Sequence, residues 1–165
     1  MLGLGIGIPR ISRVSIAIGD TYQGGLVFYL DGSGGGLISA PANETNTAWG
    51  CHGSVISGAD GTAIGTGAQN TIDIVAGCTS EVTAADRCSD KDDGTYDDWF
   101  LPSYYEAKAM YDNLHAAGLG SFTSGGYWTS TEHSATNAYV QYFNNGSLGT
   151  YFKTAALSVR AIRSF

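Results

Sequence analysis

Apolar residues open this chain at a spacing of two. Leu2, Leu4, Ile6 and Ile8 alternate with Gly3, Gly5 and Gly7, and after Pro9 the alternation resumes at Val14, Ile16 and Ile18. Period two with one apolar face predicts extended strand. The glycine face lets another backbone approach closely. A strand of this kind is hazardous to leave open in water. Residues 1–18 are therefore expected to pair with other copies of the chain or with a carrier protein, or to fold onto their own domain.

Beyond Gly19 the pattern is mixed. Gly25–Leu30 is dense in β-branched and aromatic residues and predicts a strand. The glycine-rich turn at 31–36 leads to a hairpin partner at Leu37–Ala40. Residues 41–70 read as loop. Short helices are expected at Thr71–Ala76 and Ser80–Cys88, with Thr71 and Ser80 as N-caps. Ser103-Tyr104-Tyr105-Glu106 is a capping box. Ala107, Met110, Tyr111 and Leu114 then form a helical apolar stripe that stops at Gly118. After Gly125-Gly126 the period returns to two, predicting strands at Tyr127–Ser130, Ala138–Phe143, Thr150–Lys153 and Leu157–Ile162. Asn144-Asn145-Gly146 is the turn of the middle hairpin. Strands, then helices, then strands predict an α+β domain.

Composition narrows the function classes. At 165 residues and 43% hydrophobic the chain fits one globular domain, and 24 glycines predict many tight turns. The net charge is −7, with eight Lys and Arg in all. That argues against a nucleic-acid partner, which needs a basic footprint. No apolar run is long enough to span a bilayer, so no membrane insertion is expected. Met1–Ile8 has no preceding positive residue and does not read as a secretion signal. Cys51, Cys78 and Cys88 include no C-x-x-C pair. They are expected to be small buried hydrophobes, with a Cys78–Cys88 disulfide as the lesser alternative.

Several motifs in order carry a family resemblance. They are Gly19–Tyr29 (GDTYQGGLVFY), Trp49-Gly50-Cys51, Ile64–Thr71 (IGTGAQNT) and Ala84–Cys88 (AADRC). Asp98–Ser103 (DWFLPS) with Glu106, Tyr127–Glu132 (YWTSTE) and Val159–Arg163 (VRAIR) complete the series. Together they resemble the bacterial and phage domain first catalogued as domain of unknown function 1566 (DUF1566), across residues 19–165. The resemblance implies a C-type lectin-like fold, of the subclass related to formylglycine-generating enzymes. It also implies kinship with the variable proteins of diversity-generating retroelements, whose C-terminal codons are rewritten while the scaffold stays fixed. On that reading 127–165 is the variable region. Tyr127, Trp128, Glu132, Phe143, Gly146, Lys153, Val159 and Arg160 belong to the scaffold. The displayed ligand-binding positions are His133, Thr136, Val140, Tyr142, Asn144, Ser147, Gly149, Thr150, Tyr151, Phe152, Thr154 and Leu157. Late cysteines, which the formylglycine enzymes use, are missing.

The residues by themselves agree with a binding role. Segment 133–157 mixes Tyr, Ser, Gly and Asn in the manner of antibody paratopes. Tyr151 and Phe152 are adjacent, so at least one should face solvent. Trp49, Trp99 and Trp128 are expected in the core. Asp90, Asp92, Asp93, Asp97 and Asp98 do not fit an EF-hand and read as a solvated loop. His52, His115 and His133 are scattered and suggest no triad. The expectation is a non-enzymatic module on a phage tail or bacterial surface, with no cofactor or metal. Its partner is expected to be a cell-surface protein or glycan receptor. The rivals are a structural cap of an oligomeric fibre, and a hydrolase using Asp97, Asp98 or Glu132.

Overall fold

A computed structural model describes residues 15–165. It is α+β, with two sheets and three α-helices. The first sheet contains β1 (Thr21–Tyr22), β2 (Gly25–Leu30), β3 (Gly36–Ser39) and β9 (Ile162–Ser164), antiparallel in the order β1-β2-β3-β9. Residues 162–164 are thereby stitched to the hairpin of β2 and β3. Gly36 and Phe165 exchange backbone hydrogen bonds of 3.2 and 3.1 Å. A Cβ on Gly36 would lie 2.1 Å from the Tyr29 carbonyl, so only glycine fits there.

The second sheet contains β4 (Glu44–Thr47), β5 (Gly126–Glu132), β6 (Asn137–Tyr142), β7 (Leu148–Phe152) and β8 (Leu157–Val159), in the order β4-β8-β5-β6-β7. Expected strand 157–162 is thus two strands in two sheets, divided at Arg160–Ala161. Arg160 is fully buried. Its guanidinium donates to Asn43 Oδ1 (2.8 Å), Ala40 O (2.8 Å) and Gly120 O (2.9 Å) and lies 4.2 Å from the Phe122 ring centroid. The carbonyls that it gathers hold the crossover in place.

Helices α1 (Gly67–Gly77), α2 (Ala84–Ser89) and α3 (Tyr104–Asn113) lie between the two β regions of the sequence. α3 runs as its stripe predicts, with Ala107, Met110 and Leu114 fully buried. A 3-10 turn, His115–Ala117, follows, and Gly118 ends it at φ +73°. The other two helices start elsewhere than expected. α2 is capped by Thr83, not Ser80: Asp86 N–H donates to Thr83 Oγ1 (3.0 Å) and Thr83 N–H to Asp86 Oδ2 (2.6 Å). α1 begins four residues before Thr71. Its cap is tertiary: the buried Glu106 carboxylate accepts from Gly65 N–H and Ser103 N–H, both at 2.7 Å. Two helix N-termini thus share one carboxylate. A Cβ on Gly67 would lie 2.2 Å from Glu106 Oε2, which explains glycine there. Thr71 sits within α1, accepting from Leu101 N–H at 3.0 Å.

One core cluster gathers Trp49, Trp99 and Trp128 with Val140 and Val159, and a second gathers Phe28, Met110, Leu114, Tyr127 and Phe143. The tryptophans are therefore core, as expected. Trp49 Nε1 donates to Thr129 O (2.8 Å) and Trp128 Nε1 to Thr47 O (3.0 Å), tying the 47–49 segment to β5. The cysteine expectation is corrected. Cys51 is bonded to Cys78, while Cys88 is a free, buried thiol. Apolar burial alone suits Cys88, but the other two staple the irregular 50–66 loop to the end of α1. The expected strand of residues 1–18 lies almost wholly outside the described residues, and Ser15–Ala17 have no regular structure.

Candidate ligand-binding surface

The β6–β7 hairpin is held from beneath by a buried ion pair. Lys153, just after β7, has no exposed side-chain surface, and Glu132, at the end of β5, is 6% exposed. Lys153 Nζ donates to Glu132 Oε1 and, at 2.9 Å, to Ser54 O, and it lies 4.5 Å from the Trp49 ring centroid. Glu132 also accepts from Ile56 N–H at 3.0 Å. The hairpin, the 50–66 loop and β5 are joined at this point.

The register assigns the expected display residues to two opposite faces. β6 and β7 pair Asn137 with Phe152, Ala138 with Tyr151, Tyr139 with Thr150, Val140 with Gly149 and Gln141 with Leu148. Side chains alternate along each strand. Val140, Tyr142, Gly149 and Tyr151 therefore share the face that covers the tryptophan core. Tyr139, Thr150 and Phe152 share the other. Val140 is 0% exposed and packed in that core, so it is a scaffold residue and not a display position. Tyr142 and Leu157 are half-buried against the same core. Gly149 is half-buried beneath Tyr142, whose ring a Cβ there would meet at 3.0 Å. Thr136 is half-buried in the β5–β6 turn, where its carbonyl accepts from Lys153 N–H at 3.0 Å. His133, Asn144, Ser147, Thr150, Tyr151, Phe152 and Thr154 are exposed. Tyr151 and Phe152 are exposed by 45% and 59%. Both are open because β7 is the last strand of its sheet.

The second face carries a group of which only His133 is among the expected display positions. Tyr105, Tyr104, Tyr139 and His133 form a chain of edge-to-face rings with centroids 4.9, 4.9 and 5.1 Å apart. Tyr104 and Tyr105 open α3, and Tyr104 N–H is held by Thr131 Oγ1 at 3.0 Å. Tyr105 is 52% exposed. It borders a shallow groove of about 500 Å³ with Ile64 and Lys108. The groove's one lysine is neutralised by Asp112 at 2.8 Å. The signal in the sequence was two tyrosines at a helix start, outside the apolar stripe and so without a packing role.

The carboxylates are largely committed. Asp98 and Arg163 make a paired contact of 2.6 and 2.9 Å, and that guanidinium holds the Asp98 carboxyl below its usual range. In the 90–98 loop, Asp93 accepts from Thr95 and Tyr96 N–H groups, which lowers its pKa, and Asp92 accepts from Gly94 N–H. All five aspartates of this loop are exposed. Burial pushes the Glu106 carboxyl up despite its backbone donors. Among the described residues, the one group with metal-ligand proximity is Cys51, Cys78 and Glu81, whose two sulfurs are bonded to each other. His115 sits against Tyr111 and Phe143, far in sequence from His52 and His133.

No protein-family model matches this chain, and no curated protein matches it. Among the described residues, no helix is long and apolar enough to cross a membrane.

Proposed function

We propose that this chain is a ligand-binding module with a C-type lectin-like fold of the DUF1566 type, displayed on a phage tail or bacterial surface. Its recognition surface is the outer face of β6–β7 together with the start of α3. The observation that carries this reading is the chain of rings from Tyr105 to His133, continuous with exposed Thr150 and Phe152. Rigid aromatic side chains give large contact area at small entropic cost. A few such residues dominate typical binding energies. A fixed framework below and exposed positions at His133, Asn144, Ser147, Thr150, Tyr151, Phe152 and Thr154 also suit a diversified surface. The Cys51–Cys78 disulfide favours an oxidising environment. Binding is preferred to hydrolysis because Glu132 and Asp98 are each held by a cation.

The test is binding of the labelled chain to intact bacterial cells and to an immobilised glycan panel. Tyr139→Ala and Phe152→Ala should each weaken binding roughly tenfold or more, a loss of about 1.4 kcal/mol. Retained binding in the double variant, with an unchanged fold, would refute this surface. Neighbouring DNA encoding a reverse transcriptase and a near-copy of the final segment, differing at adenines, would establish diversification.

A further inference from the structure

Among the described residues the outer strand β7 is an open edge with an unusual composition: Leu148-Gly149-Thr150-Tyr151-Phe152 carries no charge. The remaining sheet edges of the described residues are managed. β1 is two residues long. β4 carries Glu44, paired with Lys91 at 2.9 Å. β9 carries Arg163, paired with Asp98, and Ile162 is bridged by Phe100. An uncharged, aromatic, uncovered edge is a template for strand pairing.

The register fixes which backbone groups are free. Lys153 N–H donates to Thr136 O, and Tyr142 N–H donates to Ser147 O. Hydrogen-bonded pairs alternate in an antiparallel ladder. Tyr151 and Gly149 therefore direct their N–H and C=O groups at β6, while Leu148 and Thr150 direct theirs outward; Phe152 directs its N–H outward, and its C=O accepts from Ala155 N–H at 3.0 Å.

That outward row is self-complementary. We infer that β7 pairs antiparallel with β7 of a second copy about a two-fold axis through Thr150. Thr150 then opposes its own equivalent as a hydrogen-bonded pair, and Leu148 opposes the partner copy's Phe152, whose N–H is free to donate to the Leu148 carbonyl. On the inner face each Tyr151 meets the other copy's Gly149 and the Tyr142 ring that covers it. Apolar–aromatic and Thr–Thr pairs are favourable cross-strand contacts. The uncharged strand is where pairing meets least repulsion. Copies carrying −7 each repel one another, and β7 brings no charge to the contact. The axis stands perpendicular to the joined sheet, so both Tyr104–Tyr139 surfaces point to the same side. The dimer is thereby bivalent towards a repetitive surface. The pairing stands whether or not that surface binds the proposed ligand.

The test is sedimentation equilibrium of the full chain from micromolar to near-millimolar concentration. The expected result is a mass rising from one chain to two. Thr150→Lys sets like charges directly opposite each other and should raise the dissociation constant roughly tenfold or more. Thr150→Pro removes an outward N–H without touching the β6 ladder and should have a similar effect. Near-UV circular dichroism checks that both variants keep the fold. Thr150→Cys should cross-link to itself on mild oxidation, since opposed Cα atoms lie about 5.5 Å apart, while Thr154→Cys should not. A chain that stays monomeric throughout, or association unchanged in the folded Thr150→Lys variant, overturns the inference.

Discussion

Replacing Lys153 by methionine removes the post on which the hairpin stands. The ammonium makes three contacts: Glu132, Ser54 O and the Trp49 ring. Methionine refills most of the volume and keeps an apolar contact with Trp49, so packing loss is small. What remains is Glu132, 6% exposed, with the Ile56 N–H as its donor. Removing one member of a buried pair costs about 3–5 kcal/mol, chiefly through the stranded charge. Replacing Glu132 by glutamine as well keeps an acceptor for Ile56 and removes that charge. The double variant should then be destabilised by about 1–2 kcal/mol, less than Lys153→Met alone. Urea titration followed by tryptophan fluorescence measures this directly, because Trp49 adjoins the pair. A Lys153→Met cost under about 1 kcal/mol, or a double variant costing the sum of its singles, would refute the account.

Three further outcomes are expected. Reducing the Cys51–Cys78 disulfide, which spans 27 residues, should lower stability by about 3.5 kcal/mol on the chain-entropy argument; thermal unfolding with and without a dithiol measures it, and Cys88→Ser should not abolish the difference. Gly67→Ala drives a Cβ into Glu106 and should cost about 1–3 kcal/mol in urea titration. The raised pKa of Glu106 means that the folded state binds its proton more tightly than the unfolded state, so its contribution falls as pH rises from the ordinary glutamate range through the raised value. Asp98 is the reverse: its contribution is present above the ordinary aspartate value and lost as pH falls through its depressed value. Unfolding free energy measured against pH should lose the first slope in Glu106→Gln and the second in Asp98→Asn.

Local signals in the sequence were reliable where the structure is local. The α3 stripe, the 25–40 hairpin and the 138–152 hairpin appear close to their expected places, because period and turn chemistry determine them. α1 was misplaced because its cap is a carboxylate 41 residues away, which no window around Thr71 contains. Strand 157–162 reads as one because Val159 and Ala161 alternate with Arg160 and Ile162 as along a single strand. Its division between sheets depends on Arg160 and the carbonyls that Arg160 gathers. Seven of the twelve expected display positions are exposed, Thr150, Tyr151 and Phe152 among them. Val140 was misjudged because composition does not reveal which way a strand faces until its register is known. Tyr104 and Tyr105 were absorbed into a capping motif, and their proximity to Tyr139 is a tertiary fact.

The stitching of β3 to β9 governs how this domain can be carried. Val27, Ile38 and Arg163 lie in one row across the first sheet, and Gly19 N–H bonds Val27 O. Three interstrand steps of about 4.8 Å therefore separate the entering and leaving chain. A host protein could accept the whole unit at a single loop, through two short tethers on one side. New ends could equally be opened at the 143–147 turn in a chain starting at Gly19, once residues 19 and 165 were joined by a brief linker.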